Sequence, residues 1–368
     1  MRVAFVHDWL VTYRGGERVL EALLTLYPEA PVYTLFYDAG EMPDSIRQRR
    51  IYAPKWLKPF RKIRKALLPV LPFAIEALPL EDYDLVISTS SCVAKGVITA
   101  PEAQHLCYLH SPMRYIWDQR RHYLEKPGKI PGVKALIHLA STWLRLWDGA
   151  SSQRVDRFVV NSSFIARRVN KYYGKEAVVI HPPVDTAAFS GQASTTGEKA
   201  PFFLAAGAFV NYKRLDLAIR ACQQAGKDLV VAGSGPEEAL LRNLAGQAKG
   251  VRLIVAPDQA EWVRLMQEAD AFIFPAKEDF GITAIEAMAA GTPVIAYRGG
   301  GALDFIRPGV NGEFFDTQDP ESLAAVLQDF RKDRYPVSEL IAFSQKFSTG
   351  HFTEAIRSEI QRLTEAAP

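Results

Sequence analysis

The sequence is dominated by short apolar runs that alternate with segments of helical periodicity. The runs lie at 2–7, 31–36, 85–89, 105–109, 157–161, 202–206, 228–232, 251–255, 271–274 and 293–297. They are rich in β-branched and aromatic residues and lack the polar alternation of a strand with one face in water. Runs of this kind are typical of parallel strands that helices cover on both faces. The pattern predicts an α/β chain with two doubly wound, Rossmann-like sheets.

The domain boundaries follow from the same pattern. A length of 368 residues suits two α/β domains, which we place at 1–181 and 201–337. A hinge at 182–200 begins with two prolines and continues in a polar stretch without periodicity. Residues 338–368 have a helical pattern and are expected to pack back toward the first domain. Two such domains should face each other across a cleft.

Composition excludes several classes of protein. Hydrophobic residues make up 48% and charged residues 23% of the chain, which is typical of a globular protein. No apolar run approaches the roughly 20 residues of a transmembrane helix, and the first residues are interpreted as a strand instead of a signal peptide. Cys92, Cys107 and Cys222 are far apart in apolar surroundings, so we expect buried thiols in a cytoplasmic protein, without a metal or disulfide role.

A basic segment at 47–67 stands out from the small net charge of +3. It holds Lys and Arg residues without any acid, and its large apolar side chains Trp56, Phe60, Ile63 and Leu67 are spaced four, three and four apart, as on one face of a helix. One interpretation is peripheral contact with the anionic inner face of the cytoplasmic membrane. The other is a solvated basic loop and helix. Nucleic acid is not expected as a partner, because aromatic platforms and a domain-wide basic surface are lacking.

The most informative motif covers residues 274–296. A strand ends at Pro275, a loop follows, and a helix is predicted from near Gly281 to Gly291. In an open α/β sheet this junction lies at the carboxyl edge, where ligands bind. The backbone N–H groups of Gly281, Ile282 and Thr283 would face an anion there, after Phe280. The motif therefore predicts a diphosphate site.

Two carboxylates belong to this motif. Glu286, in the helix, can accept hydrogen bonds from vicinal hydroxyls such as those of ribose, whereas Glu278 lies on the loop. Without further context Glu286 could simply favour the early helix, and Glu278 could be a solvated charge. A pair of carboxylates also suggests a retaining glycoside hydrolase, but hydrolysis of a plain glycoside needs no diphosphate site.

The first half of the chain offers a similar junction. Gly15 and Gly16 follow the first strand, where two glycines allow close approach of the backbone to a ligand. We expect them to contact donor phosphate or acceptor. His110 ends another predicted strand and should reach the same edge, although a single histidine is often structural.

The arrangement of Glu278 and Glu286 within Asp-Phe-Gly and Glu-Ala-Met-Ala-Ala-Gly-Thr-Pro-Val-Ile-Ala resembles the retaining GT-B glycosyltransferases of family four, also described as glycosyl transferases group 1. The resemblance covers nearly the whole chain. It implies transfer of a sugar from a nucleoside diphosphate with retained configuration. It also implies that no cofactor or metal is required.

The resemblance assigns further roles. Lys213 would reach the donor diphosphate and stabilise the leaving group, with Arg214 beside it, and His110 would touch the transferred sugar near Glu278. The residues that follow His110 are similar to a subgroup of bacterial mannosyltransferases of surface polysaccharide assembly. Acceptor contacts are expected from Arg114, Tyr115, Trp117 and Asp118. Many relatives carry arginine where this chain has Ala208. Either Arg214 or a basic group of the first domain substitutes, or this branch manages with one cation.

Two short motifs that resemble functional signatures are interpreted as structural. Asp82-Tyr83-Asp84 spells the Asp-x-Asp of metal-dependent transferases, but it precedes a strand at the amino edge and is predicted to be a turn. Asn161-Ser162-Ser163 spells a glycosylation acceptor and is predicted to be a strand end followed by a helix cap.

The function expected from these observations is transfer of a hexose, with GDP-mannose as donor and a lipid-linked or polysaccharide acceptor. Three alternatives stay open: a UDP-hexose transferase of the same fold, a sugar-nucleotide epimerase, and a non-catalytic protein that binds sugar nucleotides. The last has support only from Ala208.

Overall fold

The computed structural model describes residues 1–118, 133–189 and 201–365. The chain folds into two compact units, one formed by residues 1–182 and 352–368 and the other by residues 183–351. The polar part of the predicted hinge, residues 190–199, lies outside the described residues, as do the last three residues of the predicted C-terminal segment.

The first unit contains a parallel sheet that, within the described residues, has seven strands in the order β3-β2-β1-β4-β5-β6-β7. The strands are β1 (Val3–His7), β2 (Val32–Thr34), β3 (Ile51–Tyr52), β4 (Leu85–Ser90), β5 (Gln104–Leu109), β6 (Arg157–Val160) and β7 (Ala177–Val179). The helices are α1 (Gly15–Leu24), α2 (Asp44–Arg47), α3 (Leu71–Glu76), α4 (Val133–Ser151) and α5 (Ser163–Tyr173).

The second unit contains a parallel sheet of six strands among its described residues, in the order β10-β9-β8-β11-β12-β13. The strands are β8 (Phe203–Ala208), β9 (Leu229–Ser234), β10 (Val251–Val255), β11 (Phe272–Phe274), β12 (Val294–Tyr297) and β13 (Gly312–Phe315). The helices are α6 (Leu215–Ala225), α7 (Glu238–Gln247), α8 (Gln259–Glu268), α9 (Ile282–Ala289), α10 (Ala302–Phe305), α11 (Pro320–Asp329) and α12 (Val337–Ser344).

The predicted fold class is therefore confirmed, and each of the ten predicted apolar runs forms a strand. Central strands such as β4 are buried along their whole length, which is why they lack polar alternation. The sequence analysis missed β3, β7 and β13. All three lie at a sheet edge and are only partly buried, so their sequences carry little apolar signal.

The C-terminal segment, predicted as one helical stretch from 338, is two helices instead. α12 is followed by a 3-10 turn, and a separate helix α13 (Thr349–Glu365) begins after Ser348. Ser348 has an extended backbone, which interrupts the helical hydrogen bonds. α13 packs Phe352, Ile356 and Ile360 into the apolar core of the first unit.

Several local predictions are confirmed. Ser162 caps α5 by accepting from the N–H of Ile165 at 3.2 Å. The Asp82–Asp84 motif is a turn at the amino edge of β4, where Asp84 accepts from the N–H of Arg2 at 2.6 Å. All three cysteines are buried thiols.

The basic segment does not form the predicted helical face. Lys55–Ile63 is a 3-10 helix that contains Pro59, and its period of about three residues cannot align side chains spaced by four. Trp56, Phe60 and Ile63 are nonetheless exposed, whereas Leu67 packs against the core. Within the residues described, no helix has both the length and the hydropathy to cross a membrane.

Candidate functional site

The second unit presents its site at the carboxyl ends of β8 and β11. These strands are neighbours, and the chain continues from β8 toward one edge of the sheet and from β11 toward the other. This reversal of strand order is where open α/β sheets form their ligand crevice. Lys213 follows β8, and the loop that contains Glu278 and Gly281 follows β11. The fold thus brings the predicted residues of this half together.

The groups at the start of α9 that could contact a ligand belong to the backbone. Gly281 has φ of +128°, and a Cβ atom there would lie 2.8 Å from Cζ of Phe274, so only glycine fits. The N–H groups of Gly281, Ile282 and Thr283 donate to no acceptor within the described part of the chain. Three unpaired donors at the positive end of a helix dipole are able to bind an anion.

A largely buried cation contacts the loop that precedes α9. Lys213 Nζ lies 2.5 Å from Glu278 Oε1, and the two side chains are 15% and 17% exposed. The lysine stem passes over Gly207, where an added Cβ would lie 3.8 Å from Nζ. Because both groups are largely buried, their attraction is screened less than that of a surface pair.

The other predicted residues of this unit have distinct surroundings. Glu286 is buried within α9, and the ring of Phe280 packs between Phe305 and Phe347, so Phe280 can offer a ligand only its backbone. Arg214 adopts the left-handed conformation at φ of +53°, a strained state for a residue with a side chain, and its Nε lies 3.4 Å from Asp216.

Sequence reasoning missed the glycine triplet that supports this loop. Gly301 donates its N–H to the carbonyl of Glu278 at 2.9 Å. A Cβ atom on Gly300 would lie 2.2 Å from the same carbonyl oxygen, and one on Gly301 would lie 2.5 Å from that of Asp279. Gly299 completes three successive glycines, which begin two residues after the end of β12, and the sequence did contain this signal.

The first unit has an equivalent reversal of strand order between β1 and β4. Gly15 and Gly16 open α1, the first helix after β1, and His110 directly follows β5. The structure brings these residues together, because a Cβ on Gly16 would lie only 3.6 Å from Nε2 of His110. The side chain of Asn161 fixes the histidine backbone by donating to its carbonyl at 2.9 Å.

His110 is held neutral. Its Nε2 is buried without a hydrogen-bond partner among the described residues. Burial, with a smaller contribution from His7, lowers the pKa of His110 to about 4, and Glu17 opposes this only in part. A neutral ring with an unpaired nitrogen at a sheet edge can donate to or accept from a ligand hydroxyl, depending on its tautomer.

Two buried groups around this histidine were not predicted as site residues. Nδ1 of His7 lies 2.6 Å from the hydroxyl of Thr89, and its Nε2 lies 3.7 Å from Glu17. Glu17 also accepts from the N–H of Arg14 at 2.8 Å, which fixes the glycine turn. Burial raises the pKa of Glu17, but the contacts with His7 and the backbone N–H groups prevail and lower it.

The carboxylate of Asp8 is bound by backbone N–H groups of the turn after β4. Its carboxylate accepts four backbone N–H groups, at 2.6 Å from Ser91, 2.9 Å from Cys92 and 2.7 Å from both Val93 and Ala94. Asp8 therefore fixes the turn that follows β4. A polar residue directly after an apolar strand was the available signal.

The predicted acceptor residues are largely engaged within the protein. Trp117 donates from Nε1 to Asp148 at 2.8 Å and stacks on Tyr172 at 4.4 Å between ring centres. Asp148 also pairs with the fully buried Lys95, at 3.0 Å from Nζ. Asp118 forms an ion pair with Arg168 and accepts from Tyr172 at 2.8 Å. Arg114 and Tyr115 lie on the same segment and are partly buried.

Both halves of the chain match families of known function. Residues 13–188 match the family described as Glycosyltransferase Family 4, and residues 189–347 match Glycosyl transferases group 1. A D-inositol 3-phosphate glycosyltransferase of Nocardioides sp. is 27% identical over 357 residues, which cover 86% of this chain and 73% of that protein. A protein of the same name from Thermobifida fusca is 32% identical over 231 residues, 55% of this chain and 50% of that protein. The matched part is thus half of that relative's length.

Solved structures share the architecture. Anabaena HepE in complex with UDP superposes with a TM-score of 0.71 at 15% identity, over 98% of this chain and 100% of that chain. Identity this low shows the fold alone. Together with the two family matches, which span residues 13–347, it leads to one conclusion: the chain belongs to the GT-B glycosyltransferases of the group 1 and family 4 type.

Proposed function

We propose that the protein transfers a hexose from a nucleoside-diphosphate sugar, with GDP-mannose as the donor, to a lipid-linked or polysaccharide acceptor. The observation that carries the proposal is the juxtaposition of three unpaired N–H donors at Gly281, Ile282 and Thr283 with the Lys213–Glu278 pair. N–H donors and a cation, placed where the strand order reverses, suit the binding of a diphosphate. The negative charge on that diphosphate grows as the glycosidic bond breaks.

Each residue has a proposed part in the reaction. Lys213 and the start of α9 neutralise the departing diphosphate, and Glu286 accepts from the ribose hydroxyls. Glu278 orients the transferred sugar, and the neutral His110 donates to or accepts from a ligand hydroxyl. The leaving phosphate takes the proton of the acceptor hydroxyl on the same face, so the configuration at the anomeric carbon is retained and no metal is needed.

A UDP-hexose donor is the second candidate. It is favoured by a specific observation, since the Anabaena HepE structure is a complex with UDP. The name of the Nocardioides and Thermobifida relatives makes D-inositol 3-phosphate a worthwhile acceptor to include in any screen.

The test is a shift in melting temperature with GDP, UDP, ADP and their hexose conjugates, each with and without a chelator. A ligand at one hundred times its Kd stabilises the folded state by about 2.7 kcal/mol, which is readily measured. A shift with GDP and GDP-mannose that survives chelation is expected. A larger shift with UDP and its hexose conjugates would make a UDP-hexose the donor instead of GDP-mannose. The absence of a shift with any nucleotide would refute the proposed function.

Mutants then locate the site. Lys213→Met should reduce kcat by roughly 100- to 1000-fold, as loss of one stabilising charge in a transition state does. Lys249→Met, at an exposed lysine of the same unit, is the matched control and should retain full activity. Equal activity of the two variants would remove Lys213 from the mechanism. NMR of the product's anomeric proton tests retention.

A further inference from the structure

Helix α4 has an apolar stripe on its outer side. Its members are spaced three, four and three residues apart along the helix, and they are Leu136, Leu139, Trp143 and Leu146. The three leucines are 66%, 70% and 68% exposed, although the inner side of the same helix already buries Leu144 and Trp147 in the core. Scattered exposed leucines need no explanation, but four large apolar side chains on one helical face form a patch.

The stripe continues onto neighbouring elements. The ring of Trp143 stacks on Phe73 of α3 at 5.9 Å between centres, and its Nε1 donates to the carbonyl of Pro69 at 3.2 Å. Phe73, itself 63% exposed, lines one apolar groove together with Trp56 of the 3-10 helix. The outer face of α4, α3 and the 3-10 helix at Lys55–Ile63 thus form one continuous surface, called the apolar-basic surface below.

The charge on this surface is predominantly positive. Residues 55–73 and 135–147 contain seven Lys and Arg residues and no Asp or Glu. Lys58, Lys62 and Lys65 are exposed and form no ion pair within the described ranges. Arg61, in contrast, pairs with Asp38, and the Arg64 guanidinium lies over the ring of Trp9 at 5.9 Å.

We propose that the apolar-basic surface docks on an anionic lipid bilayer, with α4 lying in the interface. Apolar side chains framed by exposed lysines match a bilayer whose headgroups are negative and whose interior is apolar. Lysine stems can extend to the phosphates while the leucines and rings enter the acyl boundary. A second copy of this chain is a poorer occupant, because a twofold interface would place two lysine clusters of the same sign together.

The inference rests on the proposed function in one respect only, since docking would bring the transferase to a lipid-linked acceptor. It also extends the earlier expectation for residues 47–67, because it makes α4 the main apolar element. Docking itself can be measured without donor or acceptor.

The experiment is co-sedimentation of the full chain with vesicles of phosphatidylglycerol and phosphatidylcholine, against vesicles of phosphatidylcholine alone. We expect binding to the anionic vesicles that weakens as salt is raised. Lys58→Gln, Lys62→Gln and Lys65→Gln in one protein should lower the partition coefficient about 100-fold, at about fivefold for each lysine. The matched control is Lys171→Gln, Lys249→Gln and Lys346→Gln, at three exposed lysines elsewhere, and it should bind like the wild type.

The apolar contribution has its own variant. Leu136→Ser, Leu139→Ser and Leu146→Ser together should lower the partition coefficient by at least about tenfold, because each leucine loses apolar area that lipid would cover. Leu240→Ser with Val310→Ser, at exposed apolar positions of the second unit, should leave binding unchanged.

The outcomes are distinct. Failure of the wild type to sediment with anionic vesicles, or binding by the glutamine variant equal to that of the wild type, overturns the proposal. A wild-type dimer in light scattering that the serine variant dissociates, without any vesicle binding, overturns it in favour of self-association. Nucleotide-induced melting shifts in the same variants separate this result from the proposed function, which fails only if those shifts are absent.

Discussion

Replacement of His110 by glutamine should change the pH dependence of stability in a calculable way. Burial lowers the pKa of His110 to about 4 from its ordinary value of 6.5. Between these values the unfolded chain binds a proton at this ring and the folded chain does not. Unfolding is therefore favoured as pH falls from about 6.5 to about 4. At pH 8 the ring is neutral in both states, and the contribution vanishes.

The magnitude follows from the two pKa values. Between pH 8 and pH 5 this one ring should cost the wild type about 2 kcal/mol of unfolding free energy. His110→Gln lacks that loss, so its stability relative to the wild type should improve by about 2 kcal/mol over the same interval. Urea unfolding followed by tryptophan fluorescence is the assay, because five of the six tryptophans lie in the first unit.

A matched control is Tyr108→Phe, which removes a hydrogen bond of 2.9 Å to the carbonyl of Ile180 in the same core. Burial raises the pKa of Tyr108 well above 10, so this hydroxyl keeps its proton at both pH values. The variant should lose about 1 kcal/mol at pH 8 and at pH 5 alike. If the difference between wild type and His110→Gln were also the same at both pH values, the reasoning about the buried neutral ring would be refuted.

Two further predictions concern residues that the sequence analysis did not single out. Gly300→Ala should weaken nucleotide binding at least about tenfold in calorimetry, because its Cβ would lie 2.2 Å from the Glu278 carbonyl. Gly309→Ala also has positive φ but meets nothing within 4 Å, and equal losses in both would contradict this explanation. Lys95→Met should cost about 3–5 kcal/mol in urea unfolding by leaving Asp148 charged and unpaired. Adding Asp148→Asn should recover part of that loss, and no recovery would show that charge is not the cause.

The sequence predicted the central strands and a helix that begins after Gly281 because both depend on local pattern. A buried parallel strand must be apolar throughout, and a loop that requires φ of +128° must contain glycine at position 281. These constraints act on neighbouring residues, so they are visible without coordinates.

What could not be predicted depends on contacts between distant residues. The Lys213–Glu278 pair joins residues 65 apart, and the Asp8 carboxylate is bound by backbone groups more than 80 residues away. Trp117 also illustrates the limit. Its motif favoured an acceptor contact, whereas its indole N–H is used on Asp148, a partner 31 residues later in the chain. Side chains that pair with buried charges follow no periodic pattern in the sequence, so such contacts cannot be predicted from it.

Helix α13 has a consequence for the order of events during synthesis. Phe352, Ile356 and Ile360 complete the apolar core of the first unit, yet the ribosome makes them only after all of residues 183–351. At about 5–20 residues per second, translation of the second unit takes roughly 10–30 s. Throughout that time the first unit exposes the apolar surface that α13 later covers. The nascent chain should therefore be a substrate for chaperones that bind apolar segments until α13 emerges.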